Sequence, residues 1–161
     1  MKRLVLAAAL TVALASPALA QNAGQIASVR RGASCPGCNL FQAPLSGLER
    51  SGLNLTGSRL RQADLSLSVM NRTRFSNADL RDVEAYGGVF SSSNFSGANL
   101  TNASFVGAYL DGSAFSGATL TGANFSGASL ERATGLTQSR LNQACGDEAT
   151  TLPRGLTIPR C

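Results

Sequence analysis

A five-residue period runs through the middle of this chain and limits its possible folds more than any other feature. Every fifth residue from Leu40 to Leu130 forms a series of nineteen, and seventeen of these are Leu, Met or Phe, the exceptions being Arg50 and Ala85. The residue two places before each is small or apolar, and the other three positions are mostly polar or Gly. Helices need apolar spacings of three and four, and half-buried strands need two. The period therefore predicts a coil that turns a corner every five residues.

The residue types at each position of the repeat are similar to those of a known family. Blocks 63–67, 78–82, 98–102 and 123–127 read Ala-Asp-Leu-Ser-Leu, Ala-Asp-Leu-Arg-Asp, Ala-Asn-Leu-Thr-Asn and Ala-Asn-Phe-Ser-Gly. They resemble the Ala-Asp/Asn-Leu-x-x motif of the pentapeptide repeat proteins. The resemblance implies an all-β fold, a right-handed quadrilateral β-helix with four pentapeptides in each coil. Residues 38–132 would make about five such coils. Small residues at the fifth position, many of them Gly, suit the tight corners.

Residues twenty apart should then lie above one another, which predicts the interior. The second half of the series is rich in Phe, so we expect aromatic side chains to stack there. Arg50 cannot be buried without a partner, and we expect its charged head to reach solvent near the open first end.

The stack should be closed at both ends. Residues 21–37 are predicted to be an N-terminal extension and cap. Residues 133–161 are predicted to form a C-terminal cap with a short helix from Leu136 to Ala144, capped by Thr137 and stopped by Gly146. This tail is similar to tails of small secreted bacterial pentapeptide repeat proteins.

The first twenty residues have the three parts of a secretory signal peptide. Lys2 and Arg3 precede an apolar run, and Ala18-Leu19-Ala20 places small residues at a cleavage site. We expect cleavage after Ala20 and a periplasmic or secreted protein without a membrane anchor. An uncleaved N-terminal anchor is the alternative.

Composition excludes several functions. The chain has no His, so a Ser-His-Asp or Cys-His nucleophile and a His metal ligand are absent. Beyond residue 20 it carries 12 Arg and 9 acids, for a net charge of +3. The two signs are mixed, which does not favour a nucleic-acid surface. We predict no catalytic residue, no cofactor and no metal.

Six charged residues should gather on the second and third coils, because their positions stack or flank one corner: Arg59, Arg61, Asp64, Asp79, Arg81 and Glu84. Arg81 and Glu84 are expected to face each other across that corner. The patch could be a docking surface or, through Asp64 and Glu84, a weak cation site. The alternative is a solvated network of salt bridges without a binding role.

Four cysteines flank the repeats. Cys145 and Cys161 are predicted to form a local disulfide, and Cys35 and Cys38 are either a small disulfide or free thiols. The distance between the ends of the stack argues against a four-Cys zinc site. The Cys-Pro-Gly-Cys spacing is similar to that of thioredoxin-type redox pairs, but it leads into the coils without a helix.

These features favour an exported, non-enzymatic solenoid that acts as a rigid structural or interaction module for a protein or a cell-envelope component. A thiol-disulfide redox protein using Cys35 and Cys38 is the alternative. A gyrase-binding DNA mimic of the kind found in this family is disfavoured, because mimicry needs a strongly acidic rod.

Overall fold

The computed structural model describes residues 21–161, and the predicted signal peptide of residues 1–20 lies outside the described residues. The described chain folds back on itself in a regular stack. Parallel β-bridges join residues twenty apart, beginning with Asn39 and Arg59, and successive bridges start five residues further along the chain. The bridges therefore form four columns. This is the twenty-residue repeat that the sequence predicted.

The bridges are isolated pairs, and extended strands are not formed within residues 21–161. The reason is the length of each side. The chain turns after every five residues, as at 61–62 and 66–67, so only one outward residue per side pairs with the coils above and below. The amide of Leu60 donates to Asp79 O at 2.8 Å, and the amide of Asp79 donates to Ser58 O at 3.0 Å. These backbone hydrogen bonds between successive coils are the β structure of the fold.

The first and third positions of each block face inward, as the period predicted. Leu60, Ala63 and Leu65 are all buried, and Arg50 is exposed with its guanidinium donating to Glu49 O at 2.7 Å. The predicted aromatic stacks are present. Phe95 lies between two parallel rings, with centroid distances of 5.0 Å to Phe75 and 5.2 Å to Phe115.

The corners have left-handed backbone geometry. The fifth position of every block from residue 42 to residue 127 has a positive φ, and ten of these eighteen residues are Gly. Asn77 and Asp82 tolerate this conformation comparatively well. Leu67, with a φ of 56°, does not, and its side chain is exposed.

The N-terminal cap contains a helix that the sequence reading did not predict. Helix α1 spans Ala23–Arg30, and the side chain of Asn22 caps it by accepting from Gln25 N at 3.1 Å. Ile26 and Val29 are buried in the core. Two apolar residues three apart in so short a segment are a weak sequence signal for a helix. In the structure these two side chains cover the first coil.

The C-terminal helix is shorter than predicted. Helix α2 spans Gln138–Leu141, and Asn142 is its C-cap, so the helix ends before Gly146. Thr137 occupies the N-cap position, but its side chain makes no capping hydrogen bond. Beyond α2 the chain continues the stack, because Cys145 pairs with Asn124 and Thr151 pairs with Ser129. Neither helix in the described part of the chain is long enough to cross a bilayer.

Candidate functional site

The six charged residues predicted to gather on the second and third coils lie next to one another, and we call them the ionic surface (Arg59, Arg61, Asp64, Asp79, Arg81 and Glu84). Backbone bridges join Arg59 to Asp79 and Asp64 to Glu84, which holds these side chains in two neighbouring columns. Asp64 and Glu84 are exposed, and Asp64 Oδ1 accepts from Ser66 N at 2.9 Å. These two pairs therefore have the twenty-residue spacing that the repeat predicts.

The ion pairs differ from the expected ones. Arg81 makes a two-pronged contact with Asp79, with both nitrogen–oxygen distances at 2.7 Å, rather than with Glu84 across the corner. Arg61 Nε lies 3.3 Å from Oδ2 of Asp82, a residue absent from the predicted set. Asp82 occupies a left-handed corner position, and its other carboxylate oxygen, Oδ1, accepts from Asn102 Nδ2 in the next coil at 3.2 Å. The sequence signal for this ion pair is the separation of twenty-one residues between Arg61 and Asp82, which places Asp82 one coil further along the stack.

The contact between Arg81 and Asp79 favours the charged form of both side chains. The side-chain hydrogen bond from Arg81 lowers the pKa of Asp79 below its ordinary value, and the same contact raises the pKa of Arg81. The side chain of Asp79 is 27% exposed and that of Arg81 is 42% exposed. Exposed pairs of this kind contribute little to folding, typically below about 1 kcal/mol.

Arg59 has a different contact at the edge of the ionic surface. Its guanidinium carbon lies 5.1 Å from the centroid of the Phe41 ring, which is the geometry of a cation–π interaction. Within residues 21–161 no group of three or more Cys, Asp or Glu side chains is arranged to hold a metal ion. Asp64 and Glu84 do not belong to a group of that size.

Both cysteine pairs form disulfides, one at each end of the stack. Cys145 is bonded to Cys161, as predicted, with a Cα–Cα distance of 4.9 Å. Cys35 is bonded to Cys38, with a Cα–Cα distance of 5.5 Å, which resolves the choice between a disulfide and free thiols. Cys35 follows the carboxyl end of α1. A thiol there lacks the helix N-terminus that activates thioredoxin-type cysteines.

Three of the solved structures to which this chain is similar are HetL, a form of QnrB1 and Rfr23, and the first and last of these are described as pentapeptide repeat proteins. HetL from the cyanobacterium Nostoc sp. strain PCC 7120, involved in heterocyst differentiation regulation, is 24% identical over 80% of this chain, with a TM-score of 0.46. The match covers 63% of HetL, less than two thirds of its length. A trypsin-treated form of QnrB1, a plasmid-mediated fluoroquinolone resistance protein, is 22% identical over 76% of each chain, with a TM-score of 0.48.

The third, Rfr23 from the cyanobacterium Cyanothece 51142, is 21% identical over 80% of this chain and 97% of its own, with a TM-score of 0.38. A sequence comparison with curated proteins gave no match.

The family is identified by the repeat itself. The model of the family described as pentapeptide repeats matches residues 51–84 and 93–134, as eight copies. These ranges lie in the part of the chain in which bridges join residues twenty apart, and the blocks from residue 53 to residue 132 bury their first and third positions. The chain belongs to the pentapeptide repeat proteins.

Proposed function

We propose that this protein is an exported, non-enzymatic interaction module, built on a right-handed quadrilateral β-helix of about five coils. The ionic surface carries the proposal. Its charged side chains are exposed or half-exposed, and backbone bridges fix their spacing. A surface of fixed charges with both signs selects a partner by matching its pattern of charge, which gives specificity more than affinity. The partner class that fits is a protein or another component of the cell envelope.

Export is supported by two features of the chain. Residues 1–20 have the layout of a secretory signal peptide. All four cysteines are paired in disulfides, which persist in oxidising compartments and are rare in the cytosol. Mass spectrometry of the protein from its native host tests the proposal. We expect a mature chain that begins at Gln21 in the periplasmic or culture fraction, and an intact N-terminus in the cytosolic fraction would contradict it.

The ionic surface is tested by reversing its charges. A double variant, Arg61→Glu with Arg81→Glu, places two further acids beside Asp79 and Asp82 and should abolish capture of envelope components by the immobilised protein. The matched control is Arg132→Glu, because Arg132 also pairs with an acid, Asp111, but lies in another part of the stack. We expect the control to retain its partners and binding to weaken with added salt. Equal capture by both variants would refute a binding role for the ionic surface.

Two other functions lack such support. The disulfide between Cys35 and Cys38 has no activating helix N-terminus, so we do not extend the proposal to thiol-disulfide exchange. The resistance protein QnrB1 shares the fold only. On this rod arginines lie among the acids, as at Arg61 beside Asp82, and a mimic of DNA needs a continuous negative surface.

A further inference from the structure

A second surface, which adjoins the ionic surface at the Asp64 and Glu84 edge, exposes apolar side chains on three successive coils. We call it the apolar face and define it by six residues: Leu67, Val69, Tyr86, Val89, Val106 and Tyr109. The exposed fractions of Leu67, Tyr86 and Tyr109 are 60%, 56% and 57%, and they are the large apolar side chains that the described structure leaves most exposed. Both tyrosines of the chain lie on this face.

The twenty-residue repeat makes the apolar face continuous. Val69 pairs with Val89 and Val89 pairs with Tyr109, so these three form one outward column along the side. The adjoining corner carries Leu67, and one coil later Tyr86, whose carbonyl accepts from Leu67 N at 2.8 Å. Soluble monomers seldom leave large apolar patches uncovered, and such patches usually mark a binding surface.

Leu67 adds a second observation, because it is an unfavourable choice for folding. It occupies a corner with a φ of 56°, where Gly or Asn would be easier, and its side chain is mostly in solvent. It lies against Gly87, since a Cβ at Gly87 would be 2.9 Å from Leu67 Cδ2. The left-handed backbone conformation of Leu67 is unfavourable, and burial of its side chain does not compensate for it. Strained, exposed side chains of this kind are found at functional surfaces.

The charges beside the apolar face indicate what covers it. Asp64, with Glu84 above it, lies just beyond the corner that bears Leu67, and Arg72 lies on the opposite corner, all three exposed. Suppose that two copies meet through this face about a two-fold axis parallel to the stack. The acidic edge of each copy then faces the basic edge of the other at the level of the second coil. Rods placed in opposite directions would instead put acid against acid.

We propose that the apolar face is a contact between two copies of this chain, with the rods side by side and pointing the same way. Such an interface is isologous, so residues on the axis meet their own copies. Tyr109 then packs on Tyr109 and Val89 on Val89. Glu49, in the same column, lies in the first coil, where the Arg50 guanidinium donates to Glu49 O. The proposal is independent of export, and it shares only Asp64 and Glu84 with the ionic surface.

The size of the face predicts a weak dimer. A contact over the whole side that bears the apolar face, with five residues at ~3.3 Å and about five coils at ~4.8 Å, covers about 400 Å² for each copy. The total of about 800 Å² is below the ~1,200 Å² of stable interfaces, so we expect a dissociation constant between about 10 µM and about 1 mM.

Sedimentation equilibrium of the mature chain tests the proposal over about 10 µM to about 1 mM. We expect the average mass to rise from monomer toward dimer. The triple variant Leu67→Asn, Tyr86→Ser and Tyr109→Ser should remain a monomer throughout while keeping the circular dichroism and thermal midpoint of the parent. The matched control, Gln62→Ser at an exposed corner on another side of the same coil, should dimerise as the parent does. A monomeric parent, or a triple variant that dimerises equally, would overturn the proposal.

The orientation of the rods has its own test. Arg72→Asp alone should weaken dimerisation at least several-fold, and adding Asp64→Arg to the same chain should restore it, because the pair is rebuilt across the interface with its charges exchanged. If adding Asp64→Arg does not restore dimerisation, the parallel arrangement is wrong. Dimers that form but resist the triple variant would assign the contact to another surface.

Discussion

Single residues at the corners determine how closely the coils stack. Gly135 has a φ of 73°, and a Cβ there would lie 2.5 Å from the backbone nitrogen of Ser116. Gly107 has a φ of 66° but open space around the same position. Gly107→Ala should therefore cost only the left-handed conformation, about 1 kcal/mol, and Gly135→Ala should cost at least about 2 kcal/mol more. Urea denaturation measures both free energies of unfolding. Equal losses would show that the close approach at Gly135 relaxes freely.

A second residue-scale prediction concerns pH. The hydrogen bond from Gly127 N, at 2.8 Å, is the largest cause that lowers the pKa of Asp147 below its ordinary 3.8, and bonds from Thr150 and Ala149 add to it. A lowered folded-state pKa stabilises the fold above the unfolded-state value. That contribution is lost as the pH falls through the folded-state value.

The unfolding free energy should therefore fall less steeply in Asp147→Asn than in the parent between about pH 5 and about pH 2. Glu131→Gln, an exposed acid near the same end, is the control and should follow the parent. Identical pH profiles in all three proteins would contradict the role of the Asp147 carboxylate.

The repeated element gets its stability from the interior columns. Phe95 packs between two parallel rings and also meets the edges of Phe90 and Phe105, with centroid distances of 6.2 and 5.8 Å. Phe95→Ala should lower the unfolding free energy by about 3–5 kcal/mol, and Phe95→Leu, which fills more of the space, by less than about 2 kcal/mol. Tyr86→Ala, at an exposed aromatic, should change it by less than about 0.5 kcal/mol. Denaturation at low micromolar concentration checks the order, and similar losses in all three would contradict it.

The elements differ in how well their sequence predicts them. The interior was predictable because the same two positions of each block recur nineteen times, so one exception such as Arg50 does not obscure the pattern. Helix α1 has only Ile26 and Val29 to mark it. The ionic surface was predictable to the level of columns, since the backbone sets those. Its ion pairs were not, because the partner of Arg61 depends on the direction in which the left-handed corner turns Asp82.

At the scale of the whole molecule, the two disulfides secure opposite ends of one stack. Cys145–Cys161 spans a sequence separation of 16, and Cys35–Cys38 spans 3. Chain entropy predicts a loss of about 3 kcal/mol when the longer loop is opened and about 2 kcal/mol for the shorter. We expect Cys145→Ala with Cys161→Ala to destabilise the protein more than Cys35→Ala with Cys38→Ala, as measured by thermal unfolding.

The two double Cys→Ala variants should also differ in which end of the stack loses protection from hydrogen exchange. The amide of Phe125 donates to Cys145 O at 2.8 Å, so hydrogen exchange there should accelerate in the first variant and remain slow in the second. Faster exchange at Phe125 in both variants would mean that the stack responds to either cap as one cooperative unit.

The bridge spacing also bears on how the gene can change. Because partners lie twenty residues apart, an in-frame duplication of twenty codons within the repeats would add one coil and leave every column in register. The rod would lengthen by about 4.8 Å, and both caps would keep their orientation. Five added codons would preserve the inward pattern but turn everything downstream by one side. The apolar face would then be split between two sides. Selection on that face should therefore tolerate length changes in whole coils and remove the smaller ones.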